Sequence, residues 1–165
     1  MSDTLSLQEQ IQDAVEFVQS AKRIVALTGA GISTESGIPD FRSPGSVWRE
    51  NPPTSYRDFL NKPEERQRYW QTRRVLSAQV SSAQPNAAHH ALAELERRGQ
   101  LSGIITQNFD GLHQDAGSNP EHIVELHGTS RFAACTLCGR RSSIQELQQR
   151  INAGEIDPQC DSCGG

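Results

Sequence analysis

The stretch IVALTGAGISTESGIPDFR, residues 24–42, decides the fold that we expect for this chain. Its first four residues form an apolar run that fits a buried strand of a parallel sheet. Gly29 and Gly31 follow directly and would let the backbone turn tightly and approach a pyrophosphate. Because free backbone N–H groups at such a turn attract anions, the stretch predicts a nucleotide site at the end of a strand.

The dinucleotide fingerprint in this stretch is incomplete, since Thr34 stands where a third Gly or Ala is expected. Taken alone, two glycines at this spacing are equally typical of an ordinary strand-to-helix turn. The segment PDFR, residues 39–42, places an acid, an aromatic ring and a cation side by side. A solvated loop has little use for the ring, so the segment favours a ligand site. The alternative is a Phe that anchors a surface loop to the core.

Composition limits the classes of protein that this chain can belong to. With 165 residues it can bury one core, and any second module has to be small. The net charge is −4 and no block of like charges occurs, which argues against a direct nucleic-acid partner or an anionic membrane surface. No segment approaches the roughly 20 apolar residues of a membrane span, and no targeting segment opens the chain. We expect a cytoplasmic protein.

The cysteines form two C-x-x-C pairs near the end of the chain, Cys135 with Cys138 and Cys160 with Cys163. This spacing is typical of a four-thiolate zinc site. Two disulfides are an alternative that a reducing compartment disfavours. A redox motif is the other alternative, but one pair would suffice for it. Four thiolates leave no open coordination position, so a zinc ion here would be structural.

The hydrophobic pattern predicts an alternation of helices and strands. Strands are expected at residues 24–27, 101–106 and 123–126, and helices at residues 7–21, 64–81 and 87–98. Between the first two strands, residues 39–84 contain several prolines and read as a cofactor loop followed by a helical excursion. Strand, helical crossover, strand, turn and strand are the opening of a doubly wound α/β sheet, whose ligands gather at the strands' carboxyl ends.

Four motifs, followed by the paired cysteines, resemble those of the sirtuins, NAD-dependent protein deacylases, in their bacterial form. They are GAGIS (residues 29–33), PDFR (39–42), TQNFDGLH (106–113) and ELHG (125–128). The resemblance extends across nearly the whole chain. It implies a Rossmann-like α/β domain, of which residues 1–128 are the N-terminal part of an incomplete parallel sheet, and an incomplete zinc-binding module at residues 129–165. NAD and an acylated lysine of a protein substrate would meet between the two.

The resemblance also implies roles for individual residues. The residues that it assigns to the NAD site are Gly29, Ala30, Gly31, Ser33, Asp40, Phe41, Arg42, Gln107, Asn108 and Asp110. The zinc ligands would be Cys135, Cys138, Cys160 and Cys163. The catalytic residues would be His127, as general base, and Asn108. A His with a pKa near ~6.5 can accept a ribose hydroxyl proton at neutral pH. A His with a purely structural role at the end of a strand is the alternative for His127.

Four further residues match positions of interest in this family. His89 and His113 stand where members often have His, and we interpret them as residues that pack against the site or support its side chains rather than as catalytic residues. Trp70 and Arg73 stand at the spacing at which desuccinylase-like members carry Tyr and Arg to bind an acidic acyl group. Because Trp70 departs from that pair, removal of a simple acetyl group is favoured.

The expected function is NAD-dependent deacetylation of protein lysine, in which NAD is cleaved to nicotinamide and the acyl group passes to ADP-ribose. The chain ends at residues 163–165, where sirtuins continue into a segment along the substrate peptide and the second half of the sheet. We therefore expect the chain alone to be weakly active or inactive. A sirtuin-like ADP-ribosyltransferase and a non-enzymatic zinc-binding fragment are the alternatives. The sequence does not indicate an oligomeric state.

Overall fold

The computed structural model describes residues 5–40, 43 and 52–165. The α-helices are α1 (Leu7–Ser20), α2 (Tyr56–Asn61), α3 (Pro63–Ser82), α4 (Ala87–Arg97), α5 (Leu112–Asp115) and α6 (Ile144–Asn152). The strands are β1 (Ile24–Thr28), β2 (Leu101–Thr106), β3 (Ile123–Glu125), β4 (Phe132–Ala134) and β5 (Arg141–Ser143). Two 3-10 helices, Ala30–Ser36 and Pro120–His122, complete the described elements. The predicted strands and helices agree with these bounds to within one residue.

The strands β1, β2 and β3 form a parallel sheet in that order, which confirms the predicted α/β fold. At one end of the sheet Thr28 is level with Thr106, and Thr106 is level with Glu125. The carboxyl ends of all three strands therefore lie side by side. The three polar motifs that follow these strands in the sequence are brought to one edge of the sheet.

Helix α4 begins where the sequence supplies an N-cap after a proline. The side chain of Asn86 accepts hydrogen bonds from the backbone N–H groups of Ala88 and His89, at 3.0 and 3.4 Å. Such a cap satisfies two of the donors that the first turn of a helix leaves unpaired. The helix is followed by Gly99 with a φ of 74°, a left-handed conformation that favours glycine. The chain then enters β2.

The sheet has one covered face and one open face. Ile104 of β2 and Leu112 of α5 are each 1% exposed on the covered side. On the other side Val25, Leu27 and Val124 are between 54% and 67% exposed. Parallel sheets are ordinarily covered on both faces, so the described residues supply the cover for only one of them.

The segment after β3, residues 129–165, forms a small module that packs against α3. Strands β4 and β5 pair antiparallel, and α6 follows them directly. Leu147 and Ile151 of α6 enclose Trp70 of α3 in a small apolar core. Arg66 of α3 also forms an ion pair with Asp157 of the module, at 3.1 Å. Within the described residues, no helix combines the length and the hydropathy that crossing a membrane requires.

Candidate functional site

The glycine-rich turn after β1 leaves space for a ligand. We call residues 29–36, which comprise Gly29 and the first 3-10 helix, the cofactor turn. Neither Gly29 nor Gly31 has a positive φ, so the backbone does not require glycine at these positions. A Cβ on Gly31 would meet no atom of the described structure within 4 Å, and a Cβ on Gly29 would meet only Nε2 of Gln107, at 3.9 Å. These glycines keep the surface clear, as close approach of a pyrophosphate needs.

A buried hydrogen-bond network joins the cofactor turn to the segment after β2. The hydroxyl of Ser33 donates to Oδ2 of Asp110 at 2.7 Å. Asn108 donates through Nδ2 to the carbonyl of Gly29 and to Oγ of Ser33, both at 3.1 Å. Ser33 is 1% exposed and Asn108 is 8% exposed, so these bonds form away from water. The turn is thereby fixed to Asn108 and Asp110, two residues that the family resemblance assigns to the NAD site.

The segment after β2 is held in place by hydrogen bonds that its backbone N–H groups donate. The N–H of Gln107 donates to the carbonyl of Thr28 at 3.0 Å, which extends the pairing of β1 and β2 by one residue. The N–H of Asn108 donates to Oγ1 of Thr106 at 3.0 Å. Asp110 accepts the N–H of Leu112 through Oδ1, also at 3.0 Å, at the start of α5. The side chains of this segment are therefore presented in a fixed order.

Two cavities meet at the cofactor turn. One of about 620 Å³ is lined by Gly29, Gly31 and Asp40 among others. The second, of about 780 Å³, is lined by Asn108, Phe109, His127 and residues of α2 and α3. Ala30 and Gln107 line both cavities. A ligand of dinucleotide size could therefore lie along the turn in the first cavity and reach Asn108 in the second.

His127 lies at the mouth of the second cavity, two residues beyond β3. The pairing with β2 continues to Leu126, whose N–H donates to the carbonyl of Thr106 at 2.9 Å. Gly128 has a φ of 75°, and the chain turns away there. The imidazole is exposed and makes no hydrogen bond to any residue that the structure describes. Its nitrogens are available to a ligand, and a structural role at the end of the strand has no partner group in this part of the chain.

The aromatic residues of α3 face different ways. Tyr69 and Arg73 line the cavity that contains His127, and the Arg73 guanidinium carbon lies 5.9 Å from the centroid of the Phe109 ring. Trp70 instead packs into the small module, where it also lines a separate cavity of about 320 Å³. The residue pair beside the site is therefore Tyr69 with Arg73, one turn of helix apart, and Trp70 takes no part in it.

Two predicted site residues, Phe41 and Arg42, lie outside the described residues, as do residues 44–51 of the predicted cofactor loop. Asp40 is described. Its Oδ1 accepts the backbone N–H of Ser43 at 2.8 Å, and its side chain lines the cavity beside Gly31.

The four cysteine sulfurs form a compact cluster in which all four lie within 4.8 Å of one another. The Sγ atoms of Cys135 and Cys163 are 3.7 Å apart, as are those of Cys138 and Cys160. Four sulfurs in a tetrahedron around Zn²⁺, each about 2.3 Å from the ion, would be separated by about 3.8 Å. All four are free thiols, too far apart for disulfides, which need a sulfur separation of about 2.05 Å. The cluster fits a structural zinc ion.

The two cysteine knuckles repeat one backbone design. Gly139 and Gly164 follow the pairs with φ values of 74° and 72°, and each donates its N–H to the carbonyl of the first cysteine of its pair. Donation from the backbone N–H of Cys138, and then from that of Leu137, lowers the pKa of the Cys135 thiol to about 6. Comparable backbone donation lowers the pKa of Cys160. Thiolates are the form that binds zinc, so the first cysteine of each knuckle favours the ligating state.

Sequence reasoning missed one residue that holds the cofactor turn. Asn86 donates through Nδ2 to the carbonyl of Ile32 at 2.7 Å and to Oγ of Ser36 at 3.0 Å. The sequence signal was its place after Pro85, which is typical of an N-cap and predicts only a helix start. That the same amide also reaches the turn, 50 and 54 residues earlier, depends on the packing of α4 against β2.

Comparison with known proteins gives one consistent family. The model of the Sir2 family matches residues 29–165. The chain is 43% identical over 161 residues to an NAD-dependent protein deacetylase of Thermodesulfovibrio yellowstonii, covering 98% of this chain and 62% of that protein. It is 48% identical over 151 residues to NAD-dependent protein deacetylase 2 of Streptomyces coelicolor, covering 88% and 62%.

Solved structures agree with these sequence relatives. A Sir2 complex with a p53 peptide and NAD+ matches with a TM-score of 0.80 and 34% identity, over 94% of this chain and 60% of that one. A Sir2 variant with a deacetylated p53 peptide and O-acetyl ADP-ribose matches with a TM-score of 0.84 and 32% identity, over 94% and 61%. The chain thus spans about 62% of the length of its curated relatives. On the family match and the fold together, this chain belongs to the Sir2 family.

Proposed function

We propose that this chain carries the nicotinamide and phosphate half of an NAD-dependent protein deacetylase, with its zinc module. One observation carries the proposal. Asn108 and His127 line one cavity, and Ala30 and Gln107 continue its wall into the cavity along the cofactor turn. That continuity suits a co-substrate whose phosphates and reacting ribose must be held at a fixed distance from each other.

The cofactor turn is proposed to bind the NAD phosphates. Its glycines leave room for close approach, and Ser33 is held by Asp110 and Asn108. Gln107, between the cavities, and Phe41 are proposed to contact the ribose, and Arg42 is proposed to steady the loop and the phosphates. Asp40, which lines the first cavity with Gly31, is proposed to belong to the same NAD site. Backbone N–H groups at a tight turn attract phosphate without adding a formal charge.

NAD, when bound, would supply the ribose carbon that takes up the acyl oxygen as nicotinamide leaves. Asn108 is proposed to orient the nicotinamide end, since its amide is buried and already held by Gly29 and Ser33. Phe109 and Tyr69 line the cavity, and their rings are proposed to exclude water from it, which favours attack by a weak amide nucleophile. His127 is proposed to accept the ribose hydroxyl proton through an unpaired ring nitrogen, as a general base does near neutral pH.

The substrate that donates the acyl group is proposed to be an acetylated lysine in a protein. Solved relatives hold a p53 peptide with NAD+ and a propionylated peptide. An acetyl group is the proposed substrate, because Trp70, which stands where desuccinylase-like members carry Tyr, packs into the small module and does not line the cavity. Two modules would share the work, residues 1–128 in binding NAD and residues 129–165 in holding zinc. A reducing, cytoplasmic location is proposed because four cysteines must persist without forming disulfides.

An assay of acetyl-lysine peptide deacetylation by the 165-residue chain, with nicotinamide release as the readout, tests this proposal. Because the chain spans about 62% of its relatives, we expect slow turnover or none, together with NAD-dependent changes at the cofactor turn. His127→Ala should remove residual deacetylation, and Leu137→Ala, an exposed change in the zinc module, is the matched control. Absence of any NAD binding by the folded, zinc-loaded chain would contradict the proposal and favour a non-enzymatic zinc-binding role.

The same assay separates deacetylation from protein ADP-ribosylation. An ADP-ribosyltransferase would release nicotinamide without an acetylated peptide and would label protein with ADP-ribose. In that case His127→Ala would abolish neither reaction, because no acyl transfer through the ribose hydroxyl is required. Nicotinamide release that depends on acetyl-lysine supports the deacetylase.

A further inference from the structure

Two histidines are buried side by side next to the cofactor turn, and the proposed chemistry uses neither of them. His89 of α4 is 0% exposed and His113 of α5 is 1% exposed. Their ring centroids are 5.0 Å apart, and the rings are tilted by 56°. Burying polar rings is unfavourable unless their nitrogens are used, so the contacts of the pair indicate what it does.

Each ring contacts a different residue next to the turn. Nε2 of His113 lies 2.9 Å from Oγ1 of Thr28, the last residue of β1 and the one directly before the turn. Nδ1 of His89 accepts the backbone N–H of Asn86 at 3.3 Å. The side chain of Asn86 in turn binds Ile32 and Ser36, within and at the end of the turn. The pair therefore contacts the groups that hold both ends of the cofactor turn.

These contacts fix the state of the rings. Because Nδ1 of His89 accepts a hydrogen bond, the single proton of the neutral ring is on Nε2. Burial lowers the pKa of both imidazoles, and the charge of Asp110 opposes that shift only in part. The other titratable groups that act on the pair are His90, on His89, and His89 itself, on His113. Both rings are therefore neutral at pH 7.

The pair is also costly in a way that stability alone does not explain. Nε2 of His89 and Nδ1 of His113 are buried with no hydrogen-bond partner among the described residues. Apolar rings of similar size would fill the same space without leaving polar atoms unpaired. The two nitrogens that are used both serve the cofactor turn.

We propose that His89 and His113 are positioning residues for the cofactor turn, neutral imidazoles that fix Thr28 at its start and Asn86 against its middle and end. The inference rests on the proposed function in one respect, that the turn binds NAD. Protonation of His89 at Nδ1 would place an N–H against the N–H of Asn86 and break that bond. The turn is therefore expected to loosen as the pH falls below the ordinary His pKa of 6.5.

Amide hydrogen exchange on the 165-residue chain tests this inference without any activity. The probes are the amides of Ile32 and Gly37, which are bonded within the turn to Gly29 and Thr34. Thr28→Val removes only the hydroxyl, and His113→Leu removes the ring nitrogens. Each should raise exchange at the probes by roughly fivefold, as loss of one hydrogen bond implies, while the β2 amides keep their protection. The double variant should add little to either change.

Conservative replacement separates positioning from packing. His113→Gln keeps an amide that can donate or accept a hydrogen bond near the place of Nε2, and it should restore most of the protection that His113→Leu loses. Nitrogen NMR of the imidazoles should show His89 neutral, with its proton on Nε2, at pH 7. The inference is overturned if the β2 amides lose protection as much as the probes, if Gln is no better than Leu, or if His89 carries its proton on Nδ1. Thr28→Val, which is nearly isosteric, decides the matter should His113→Leu fail to fold.

NAD titration then shows whether the contacts of His89 and His113 contribute to NAD binding. The Thr28→Val chain should bind NAD more weakly than the parent, with His113→Gln between the two. If the parent chain binds no NAD, the proposed function fails, whereas hydrogen exchange and NMR still show whether the two histidines position the cofactor turn. If NAD binds equally well to all three chains while the turn loosens, the positioning role is refuted.

Discussion

Gly31→Ala should separate ligand binding from stability in the cofactor turn. Gly31 has no positive φ, and a Cβ there would meet nothing in the described structure within 4 Å. A Gly→Ala change at such a position stabilises a fold by about 0.4–1 kcal/mol, because it restricts the unfolded chain. The same methyl would occupy the space that the pyrophosphate is proposed to fill. Overpacking of a fitted contact costs about 1–3 kcal/mol, which is roughly a 5- to 150-fold loss of affinity.

Gly154→Ala is the matched control for this prediction. Gly154 follows α6 with a φ of 104° and also has nothing within 4 Å of a Cβ. There the methyl meets backbone strain of about 1–2 kcal/mol and lies outside both cavities that meet at the cofactor turn. Urea unfolding should therefore rank Gly31→Ala above the parent and Gly154→Ala below it. NAD titration followed through the turn amides should rank only Gly31→Ala below the parent. Unchanged NAD affinity in Gly31→Ala would refute the reasoning.

Three further predictions concern the zinc module, the sheet and the acyl group. In a Trp48→Phe variant, chelation of zinc should shift the fluorescence emission of Trp70 to longer wavelength, because Leu147 and Ile151 shield that ring only while the module is folded. Unchanged emission after complete loss of zinc would contradict a structural role for the metal. Ile104→Ala should lower the free energy of unfolding by about 2–5 kcal/mol, whereas Val124→Thr on the open face should change it by about 0.5 kcal/mol or less; similar losses in urea unfolding would mean that the open face is covered. The kcat/KM for an acetyl-lysine peptide should exceed that for a succinyl-lysine peptide, and a succinyl preference that Arg73→Met removes would overturn this.

Local patterns predicted most of the fold because the signals are short in range. Alternation of apolar runs with helical periods placed β1 to β3 and the helices α1, α3 and α4 to within one residue, and the C-x-x-C spacing picked out the four cysteines that cluster. The direction of Trp70 could not be read in this way. Its helix is apolar at several positions, and only the position of the small module decides that Trp70 is buried while Tyr69 lines the cavity.

The sequence by itself determined the motifs, their order and the spacing of the thiolates, and these carried the family, the parallel sheet and the zinc site. Only the tertiary structure decided which residues form hydrogen bonds with one another. Ser33 hydrogen-bonds to Asp110, Asn86 to the cofactor turn and His113 to Thr28. These contacts form because the register of β1 and β2 aligns the carboxyl ends of the two strands and because α4 packs beside them. Hydrogen bonds form only within about 3 Å, so contacts between residues this far apart in the chain follow from packing and leave no local pattern in the sequence.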